Sequence, residues 1–420
     1  MTVEIAPWLS ASRWETVPIR YVARLGSGHT PSRQRPEYWE DCKVPWVTLA
    51  DVGQLRDGTV NVISKTAELI SPLGLANSSA VRHPAGTVIL SRTASVGFSA
   101  ILGADMATSQ DFATWTCGAK LDNRYLLHAL RAMVPDLRRL AMGSTHKTIY
   151  MPDIAGLRIP LPPLDEQRQI ADILDAETAR IDELLRLRAL QRDLLKERRA
   201  LLLESKVIEA RSVSMKIAHV LKLLRDGSHQ PPPRVDRGVP LLTARNVATG
   251  VLQLTPQDTH VSVDDADSLE RSFKVQSGDV LMSVKGTIGS VALVPEDFPR
   301  VVLDRNVAIL RARTDIVTAR WLIYVLRTRE VQDQIRVSVS AAAQPGLPLG
   351  VIAGLRVRIP SLEEQRILTE ELTSSHAESD LLMRTLRRQS ELLLERRQAL
   401  ITAAVTGQFD VTTARGADLS

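Results

Sequence analysis

The 420-residue sequence has only two cysteines, Cys42 and Cys117, with no Cys-x-x-Cys pair and no histidine at ligand spacing. A disulfide framework and a structural zinc site are therefore not expected, and a reducing compartment suits this composition. The N-terminal MTVEIAPWLS lacks the basic start and apolar stretch of a signal peptide. No apolar run approaches the ~20 residues that a membrane helix needs. We expect a cytoplasmic protein that does not engage a membrane.

Sequence motifs of common catalytic sites are missing as well. No Gly-Lys pair occurs, which excludes a P-loop, and no His-Glu-x-x-His motif is present. No Asn/Asp/Ser-Pro-Pro-Tyr/Phe stretch, the catalytic loop of adenine methyltransferases, is found. We predict that the chain has no catalytic residues, binds no metal and holds no cofactor of its own.

The composition that remains is that of an ordinary globular protein. Hydrophobic residues make up 44% and charged residues 24%, and the formal net charge is +5. The length suffices for two or three domains, each with its own core. A positive charge this small does not by itself identify a partner.

An internal repeat organises the chain. Residues 156–207 align without a gap with residues 354–405 at an offset of 198, and 21 of the 52 pairs are identical. The identities include the Glu-Gln-Arg and Glu-Arg-Arg triplets. This similarity is far above chance, which about three identities would represent, and it indicates duplication of a structural unit.

The segments before each repeat match more loosely. Gly28-His29-Thr30-Pro31 pairs with Ser228-His229-Gln230-Pro231 at an offset of 200, and Pro45-Trp46-Val47-Thr48 pairs with Pro240-Leu241-Leu242-Thr243. The run from Gly86 to Ser91 pairs with the run from Gly278 to Ser283. The chain therefore alternates globular domain, helix, globular domain, helix, with one frame carrying two different domains.

Each repeat predicts a long helix. Residues 165–211 contain no Gly or Pro, and their apolar residues recur at spacings of about three, four and seven, which indicates a helix of about 45 residues and roughly 65 Å. A single helix would leave this apolar stripe in water, and the second repeat supplies a matching stripe. We therefore predict an antiparallel pair.

The basic excess lies outside these helices. Residues 165–211 hold 10 basic and 11 acidic residues, and residues 363–405 hold 6 and 8. The helical charges are interpreted as a solvated face.

The globular parts mix strands and helices. Residues 44–49, 87–90, 239–242, 280–284 and 291–294 have the composition of strands, and residues 125–140 and 319–337 that of amphipathic helices. The predicted fold class is α+β or mixed α/β: two similar domains separated by a pair of long antiparallel coiled-coil helices, in a pseudo-twofold duplicated architecture.

Polar loops between these elements hold candidate contacts to nucleic acid. Residues 143–148 are rich in hydrogen-bond donors, which suits either phosphate and base contacts or a solvated turn. Arg and Lys reaching guanine, and Asn and Gln reaching adenine, are the usual base contacts. For each residue a structural role stays the alternative. The candidates are Thr48, Arg92, Gln110, Ser144, His146, Lys147, Thr243, Arg245, Asn246, Lys285, Arg305, Asn306 and Gln344.

The sequence resembles the specificity subunits of type I restriction-modification enzymes over nearly its whole length. The resemblance rests on Gly28-His29-Thr30-Pro31-Ser32 with Pro36-Glu37-Tyr38-Trp39, and on residues 143–152, which close the first domain. It rests also on Asp226-Gly227-Ser228-His229-Gln230, on Gln344-Pro345-Gly346-Leu347, and on the repeated Glu-Gln-Arg and Glu-Arg-Arg motifs followed by Ala404-Val405-Thr406-Gly407-Gln408.

This resemblance implies a non-catalytic reader of double-stranded DNA. Residues 1–155 and 212–353 would be two target-recognition domains for an asymmetric bipartite site, residues 156–211 and 354–411 the coiled-coil repeats, and residues 412–420 a tail. Two modification subunits would carry S-adenosylmethionine and methylate adenine, and two restriction subunits would use ATP and Mg²⁺ for cleavage. A coiled-coil scaffold that binds proteins and has no DNA specificity is the alternative.

Overall fold

The computed structural model describes residues 7–142, 147–228, 230, 232–340 and 346–409. Two compact units can be distinguished: the first unit combines the chain up to residue 190 with the chain from residue 386, and the second unit is residues 191–385. Two long helices, Leu164–Glu209 and Leu362–Thr406, contribute one part to each unit.

The first unit contains eleven strands among its described residues, and they form two main sheets. The strands are β1 Thr16–Pro18, β2 Ala23–Ser27, β3 Val44–Val47, β4 Val62–Ile63, β5 Glu68–Ile70, β6 Arg82–His83, β7 Val88–Ser91, β8 Ser99–Leu102, β9 Met106–Thr108, β10 Phe112–Cys117 and β11 Arg158–Pro160. One sheet has the order β2-β10-β7-β8-β4 and the other β5-β3-β9-β6, while β1 pairs with β11.

Five helices belong wholly or partly to this unit before the second repeat. They are α1 Pro72–Ala76, α2 Asn123–Ala132, α3 Val134–Leu140, α4 Met151–Ala155 and α5 Leu164–Glu209. The core contains Trp115 and Tyr125, and the buried Ile170 and Leu174 of α5 pack into it. The first domain therefore buries the first turns of the apolar stripe of the helix that follows it.

The second unit repeats this plan with fewer strands. They are β12 Val213–Lys216, β13 Leu221–Asp226, β14 Val239–Leu242, β15 His260–Val261, β16 Val280–Ser283, β17 Val291–Leu293, β18 Val302–Leu303, β19 Val307–Ala312 and β20 Arg356–Ile359. The sheet orders are β13-β19-β16-β17 and β15-β14-β18, and β12 pairs with β20. The helices are α6 Ala244–Val247, α7 Val263–Glu270, α8 Ala319–Leu326, α9 Arg329–Ser340, α10 Leu349–Gly354 and α11 Leu362–Thr406.

A buried glutamine joins each domain to the helix behind it. In the first unit Gln167 accepts a hydrogen bond from the Asp122 amide at 2.9 Å, and its Nε2 donates to the carbonyls of Lys120 and Pro162. In the second unit Gln365 makes the same three bonds, with the Thr318 amide and the carbonyls of Ile316 and Pro360. The identity Gln167/Gln365 of the repeat thus fixes the first turn of each long helix against its domain.

Replacing Gln167 with leucine should lower the free energy of unfolding of the first unit by about 3 kcal/mol, because one amide and two carbonyls lose their buried partner. Gln365→Leu should have a similar effect in the second unit. Arg168→Ala, an exposed change in the same turn, should cost less than about 1 kcal/mol. Urea unfolding followed by tryptophan fluorescence measures all three, and a glutamine effect no larger than that of Arg168→Ala would contradict the assigned role.

The long helices run antiparallel within each unit. In the second unit Arg199 of α5 pairs with Asp380 of α11 at 2.7 Å, and Lys206 pairs with Glu371 at 2.5 Å. Residue numbers therefore decrease along α11 in the direction in which they increase along α5. In the first unit Asp182 pairs with Arg397 at 3.1 Å, and both side chains are largely buried. The prediction of two long antiparallel helices and of a duplicated mixed fold is confirmed.

The apolar stripe of each long helix is only partly buried. Ile170, Leu174 and Ile181 are buried, but Leu184, Leu194, Leu382 and Leu392 are exposed by 38, 54, 44 and 46%. The two stripes therefore do not cover each other along their whole length. A helix pair alone covers only a narrow seam, and the wider stripe is buried where a globular domain adds a further layer.

Each long amphipathic segment of the globular parts forms two helices where one was predicted. Residues 125–140 divide into α2 and α3, because Pro135 lies in the first turn of α3 and cannot continue the hydrogen bonding of α2. Residues 319–337 divide into α8 and α9, where Thr328 and Gln332 bond to the carbonyls of Val325 and Leu326 at 2.7 Å. These side chains cap α8 and end it.

Candidate nucleic-acid interface

The ends of two parallel strands define one edge of the first unit. β3 and β9 run parallel, with Val47 opposite Thr108, and the amide of Ser109 donates to the Val47 carbonyl at 2.9 Å. Parallel strands end at the same edge of a sheet, so the residues after β3 and after β9 meet there. Two of the candidate residues, Thr48 and Gln110, occupy these positions.

Thr48 and Gln110 have different surroundings at this edge. The Thr48 side chain is 7% exposed and accepts from the Ala50 amide, while the Thr48 amide donates to Asp51. Thr48 is thereby committed to capping the turn that follows β3. Gln110 is exposed, and its side-chain oxygen accepts from the Thr30 hydroxyl at 2.6 Å.

The turn that begins at Gly28 is pressed against the end of β9. A Cβ atom on Gly28 would lie 1.8 Å from the Thr108 carbonyl oxygen, and the next amide, that of His29, donates to the same oxygen. No larger residue fits here. This contact places the turn beside Gln110.

Arg92 and Lys147 complete the edge from the other side. The Arg92 amide donates to the Asp111 carbonyl, and the Arg92 carbonyl accepts from the Ile149 amide, both at 2.8 Å. The Lys147 carbonyl accepts from the Ala94 amide, and Ala94 has a left-handed φ of 57°. The Lys147 side chain is exposed, whereas Arg92 is half-buried and donates to the Ile149 carbonyl. We name Gly28, Thr48, Arg92, Gln110 and Lys147 the first polar edge.

The second unit has the same main-chain frame. β14 and β18 are parallel, with Leu242 opposite Leu303, and the Asp304 amide donates to the Leu242 carbonyl. The Val284 amide donates to the Asn306 carbonyl, and the Val284 carbonyl accepts from Leu347. We name Gly227, Thr243, Lys285, Arg305 and Asn306 the second polar edge.

The turns at Gly28 and Gly227 occupy equivalent positions in the two units. This correspondence differs by one residue from the sequence alignment. A Cβ on Gly227 would lie 2.1 Å from the Leu303 carbonyl oxygen, and the next amide, that of Ser228, donates to this oxygen. Gly28 therefore corresponds to Gly227, at an offset of 199. The predicted pairing of Gly28 with Ser228 at 200 is wrong, because the close approach to a carbonyl requires glycine at this place. His229 and Pro231 lie outside the described residues.

Side chains on the second polar edge include two exposed cations. Lys285 and Arg305 are exposed, and Asn306 is half-buried with its amide donating to Asp304. Thr243 caps α6, because its amide and hydroxyl both bond to Asn246. The chemistry of this edge thus differs from that of the first, where Gln110 takes the place of Arg305.

Asn246 and Arg245 bind the carboxylate of Asp258. Asn246 is 4% exposed and donates to Asp258 and to the Gln253 carbonyl, and Arg245 donates to Asp258 at 2.9 Å. Burial alone would raise the pKa of Asp258, but hydrogen bonds from the Thr255 amide, Asn246 and Arg245 outweigh it and lower the pKa. The Asn246 side chain is therefore held inside the loop. Arg245 stays largely exposed.

Three candidate residues, Ser144, His146 and Gln344, lie outside the described residues. The structure thus gathers Thr48, Arg92, Gln110 and Lys147 on the first polar edge and Thr243, Lys285, Arg305 and Asn306 on the second. Arg245 and Asn246 lie in α6, which follows Thr243.

An arginine–tryptophan stack near the first polar edge was missed in the candidate set. The Arg33 guanidinium lies 4.5 Å from the ring centroid of Trp39, which lies 5.6 Å from that of Trp46, and Arg33 also pairs with Glu68 at 3.3 Å. The sequence signal was a tryptophan, Trp39, shortly after the arginines Arg33 and Arg35. In the second unit Arg234 lies 3.7 Å from Asp304. The sequence around Arg234 has no spacing pattern that would have identified it.

Neither metal coordination nor a membrane span is indicated by the described residues. Within the described ranges no group of three or more His, Cys, Asp or Glu side chains could hold a metal ion. Of the helices in those ranges, none has the length and apolar character needed to cross a bilayer.

Comparison with known proteins finds a family model that matches the first part of the chain. Residues 11–190 match the family model described as type I restriction modification DNA specificity domain. The chain is 27% identical over 163 residues to the type I restriction enzyme MjaIX specificity subunit of Methanocaldococcus jannaschii, an alignment that covers 38% of this chain and only 37% of that relative. It is 20% identical over 378 residues to the EcoprrI specificity subunit of Escherichia coli, covering 84% of each.

A solved structure shares the fold. A chain from a structural study of complex assembly and conformational transition of the type I R-M system superposes with a TM-score of 0.71 at 20% identity, covering 94% of this chain and 98% of that one. Residues 11–190 therefore match a type I restriction modification DNA specificity domain, and the chain as a whole is similar to type I restriction enzyme specificity subunits.

Proposed function

We propose that this protein selects DNA sequence for a type I restriction-modification complex, with each polar edge contacting one half of an asymmetric bipartite site. The observation that carries the proposal is the pair of edges: the same main-chain hydrogen bonds hold different exposed side chains in the two units. Two domains that share a main-chain frame but expose different side chains recognise two different DNA sequences. The scaffold interpretation, without DNA specificity, finds no support in the relatives.

The exposed side chains are the proposed contacts. Gln110 and Lys147 on the first edge, with Lys285 and Arg305 on the second, can reach phosphates and base edges. Thr48, Thr243 and Asn246 act by shaping the loops that carry these side chains. Arg92, Arg245, Asn306, Ser144, His146 and Gln344 remain predicted contacts.

The division of labour within the complex forms part of the proposal. Residues 1–155 and 212–353 are the recognition domains, residues 156–211 and 354–411 the spacer and docking repeats, and residues 412–420 a tail. Two modification subunits with S-adenosylmethionine methylate adenine, and two restriction subunits with ATP and Mg²⁺ cleave, in the cytoplasm. This chain is non-catalytic.

Purified chain mixed with labelled S-adenosylmethionine and DNA should transfer no label until modification subunits are added. The chain lacks the motifs for cofactor binding and methyl transfer, so it can only direct the reaction. Scintillation counting of recovered DNA measures the transfer. Robust labelling of DNA by the chain alone would overturn the non-catalytic assignment.

DNA binding should weaken with salt, by roughly 0.9 log unit per log unit of salt for each phosphate neutralised. Lys147→Gln should reduce this slope by about one phosphate equivalent, since the Lys147 side chain is exposed on the first polar edge. Lys120→Gln is the matched control, because Lys120 is exposed beyond the opposite end of β10. Fluorescence anisotropy at several salt concentrations gives the slopes, and equal slopes for both variants would remove Lys147 from the interface.

A further inference from the structure

A cavity lined by three arginines belongs to the second unit, and none of the residues of the second polar edge lines it. Its volume is about 290 Å³, and its walls come from α5, α8 and α11. Arg199, Arg320 and Arg327 line it, and Asp380 is the one carboxylate among the described lining residues. Three positive charges thus face one negative charge.

The three guanidinium groups are held to different degrees. Arg199 pairs with Asp380 at 2.7 Å. Arg327 donates only to uncharged groups, the carbonyls of Gly250 at 2.6 Å and Val291 at 3.0 Å. Arg320 is exposed and has no ion-pair partner within 4.0 Å in the part of the chain that the structure describes. Two of the three cations therefore lack a carboxylate.

A buried histidine in the cavity wall reports the positive potential. His376 is 7% exposed, and its Nε2 is buried without a hydrogen-bond partner among the described residues. Burial, together with the charges of Arg199 and Arg327, lowers the pKa of His376 to about 4, against smaller opposing effects of Asp380 and the Arg199 carbonyl. Tyr324 contacts the ring edge-on, with centroids 5.4 Å apart.

The duplicated positions in the first unit are neutral by comparison. Arg124 there pairs with Asp172 at 2.7 Å and with Asp175 at 3.3 Å, and Arg397 pairs with Asp182 at 3.1 Å. Arg131 bonds to the Asn61 side chain and the Val60 carbonyl. Three carboxylates accompany three arginines in that copy.

One substitution accounts for most of the difference between the copies. At the repeat offset of 198, Asp182 corresponds to Asp380 and Asp172 to Glu370, but Asp175 corresponds to Thr373. Glu370 lines the adjoining larger cavity, which it shares with Arg320. Even with Glu370 counted, the second copy keeps one uncompensated positive charge where the first has none.

We propose that the cavity in the second unit binds a small tetrahedral oxyanion of the phosphate class through Arg199, Arg320 and Arg327. Guanidinium groups present planar pairs of donors that match phosphate oxygens. An anion held there offsets the mutual repulsion of Arg199 and Arg327, which contributes to the lowered pKa of Arg327 after burial. The first copy supplies the same compensation with its own Asp175.

The test is a titration of the full-length chain with inorganic phosphate at pH 7, followed by the imidazole signals of isotope-labelled histidine. His376→Gln assigns the relevant signal among the eight histidines. We expect a saturable shift of the His376 signal. Arg320→Gln should weaken phosphate binding about tenfold, the loss of one charge-assisted hydrogen bond.

Thr373→Asp should abolish phosphate binding while the protein stays folded, because it installs the carboxylate that the first copy carries at this position. Arg366→Gln is the control: it removes one exposed charge of α11 that lines only the adjoining cavity. Its phosphate affinity should stay within about twofold of the wild type. No saturable shift, unchanged binding by Thr373→Asp, or an equal loss in Arg366→Gln would overturn the proposal.

A free anion and a phosphate of the DNA backbone are two sources of the same chemistry. If DNA supplies the phosphate, Arg320→Gln should reduce the salt slope of duplex binding by about 0.9, and inorganic phosphate should compete beyond its ionic strength. If the anion is free, Arg320→Gln should leave that slope unchanged. The histidine titration does not involve DNA. A negative result would therefore disprove the anion site without affecting the proposed function, and loss of the proposed function would leave the anion site intact.

Discussion

Exchanging residues 16–152 for the equivalent segment of another family member should change one half of the methylated sequence and leave the other half intact. The first unit has its own core, built around Trp115 and Tyr125, and the first polar edge lies wholly within the exchanged segment. Methylome sequencing of host DNA reports both halves at once, and the expected effect is complete replacement of one word.

The contacts of the exchanged segment with β11 and α5 decide how the chimera must be built. The His128 ring is hydrogen-bonded to Asp175 of α5 at 2.8 Å, and Tyr125 donates to the Pro160 carbonyl of β11 at 2.9 Å. A second chimera should therefore keep α2 of this chain, so that loss of folding is separated from loss of recognition. The reciprocal exchange of residues 212–353 serves as the matched control. If either exchange altered both words, the two domains would not be independent readers.

Inserting four residues near Gln191 in α5, with four at the corresponding place in α11 after Arg387, should change the spacing between the two words. Four residues add about 6 Å and rotate the rest of a helix by roughly 40° beyond one full turn. Half-sites present the same face only about every 10 base pairs. We therefore expect a changed spacer or loss of methylation, with each word itself unaltered.

A length-neutral control separates spacing from local damage. Replacing residues 191–194 with alanine keeps the helix length and removes the exposed Leu194, so the spacer should not change. A seven-residue double insertion, which rotates the helix by only about 20° from two full turns, should retain more activity than four residues. An unchanged spacer and full activity after the four-residue insertion would mean that the helices do not set the distance.

The strand ends show how far local patterns go. The predicted strand 239–242 placed Thr243 directly after a strand, but the predicted strand 44–49 included Thr48, which the structure places just after β3. Whether a side chain at a strand end faces solvent or a neighbouring loop depends on residues far along the chain. Asn246 is turned inward by Asp258, and the exposure of Arg305 depends on the loop around Asp304; neither could be inferred from composition.

The helices give a similar contrast. Absence of Gly and Pro and a regular apolar period located α5 and α11 to within two residues, since both signals are local. The break between α8 and α9 has no proline, and Gln332 and Thr328 create it by bonding to the end of α8. Only in the folded protein is this capping of α8 more stable than a continuous helix.

The sequence by itself determined the duplication, the alternation of domain and helix, and the resemblance to specificity subunits, because these depend on period, identity and motif order. The tertiary structure alone decided which polar residues meet. It paired Gly28 with Gly227 through carbonyl contacts, joined Gln167 and Gln365 to their domains, and left the cavity of Arg199, Arg320 and Arg327 short of one carboxylate. Burial and charge balance are sums over residues distant in sequence, and a linear pattern does not contain them.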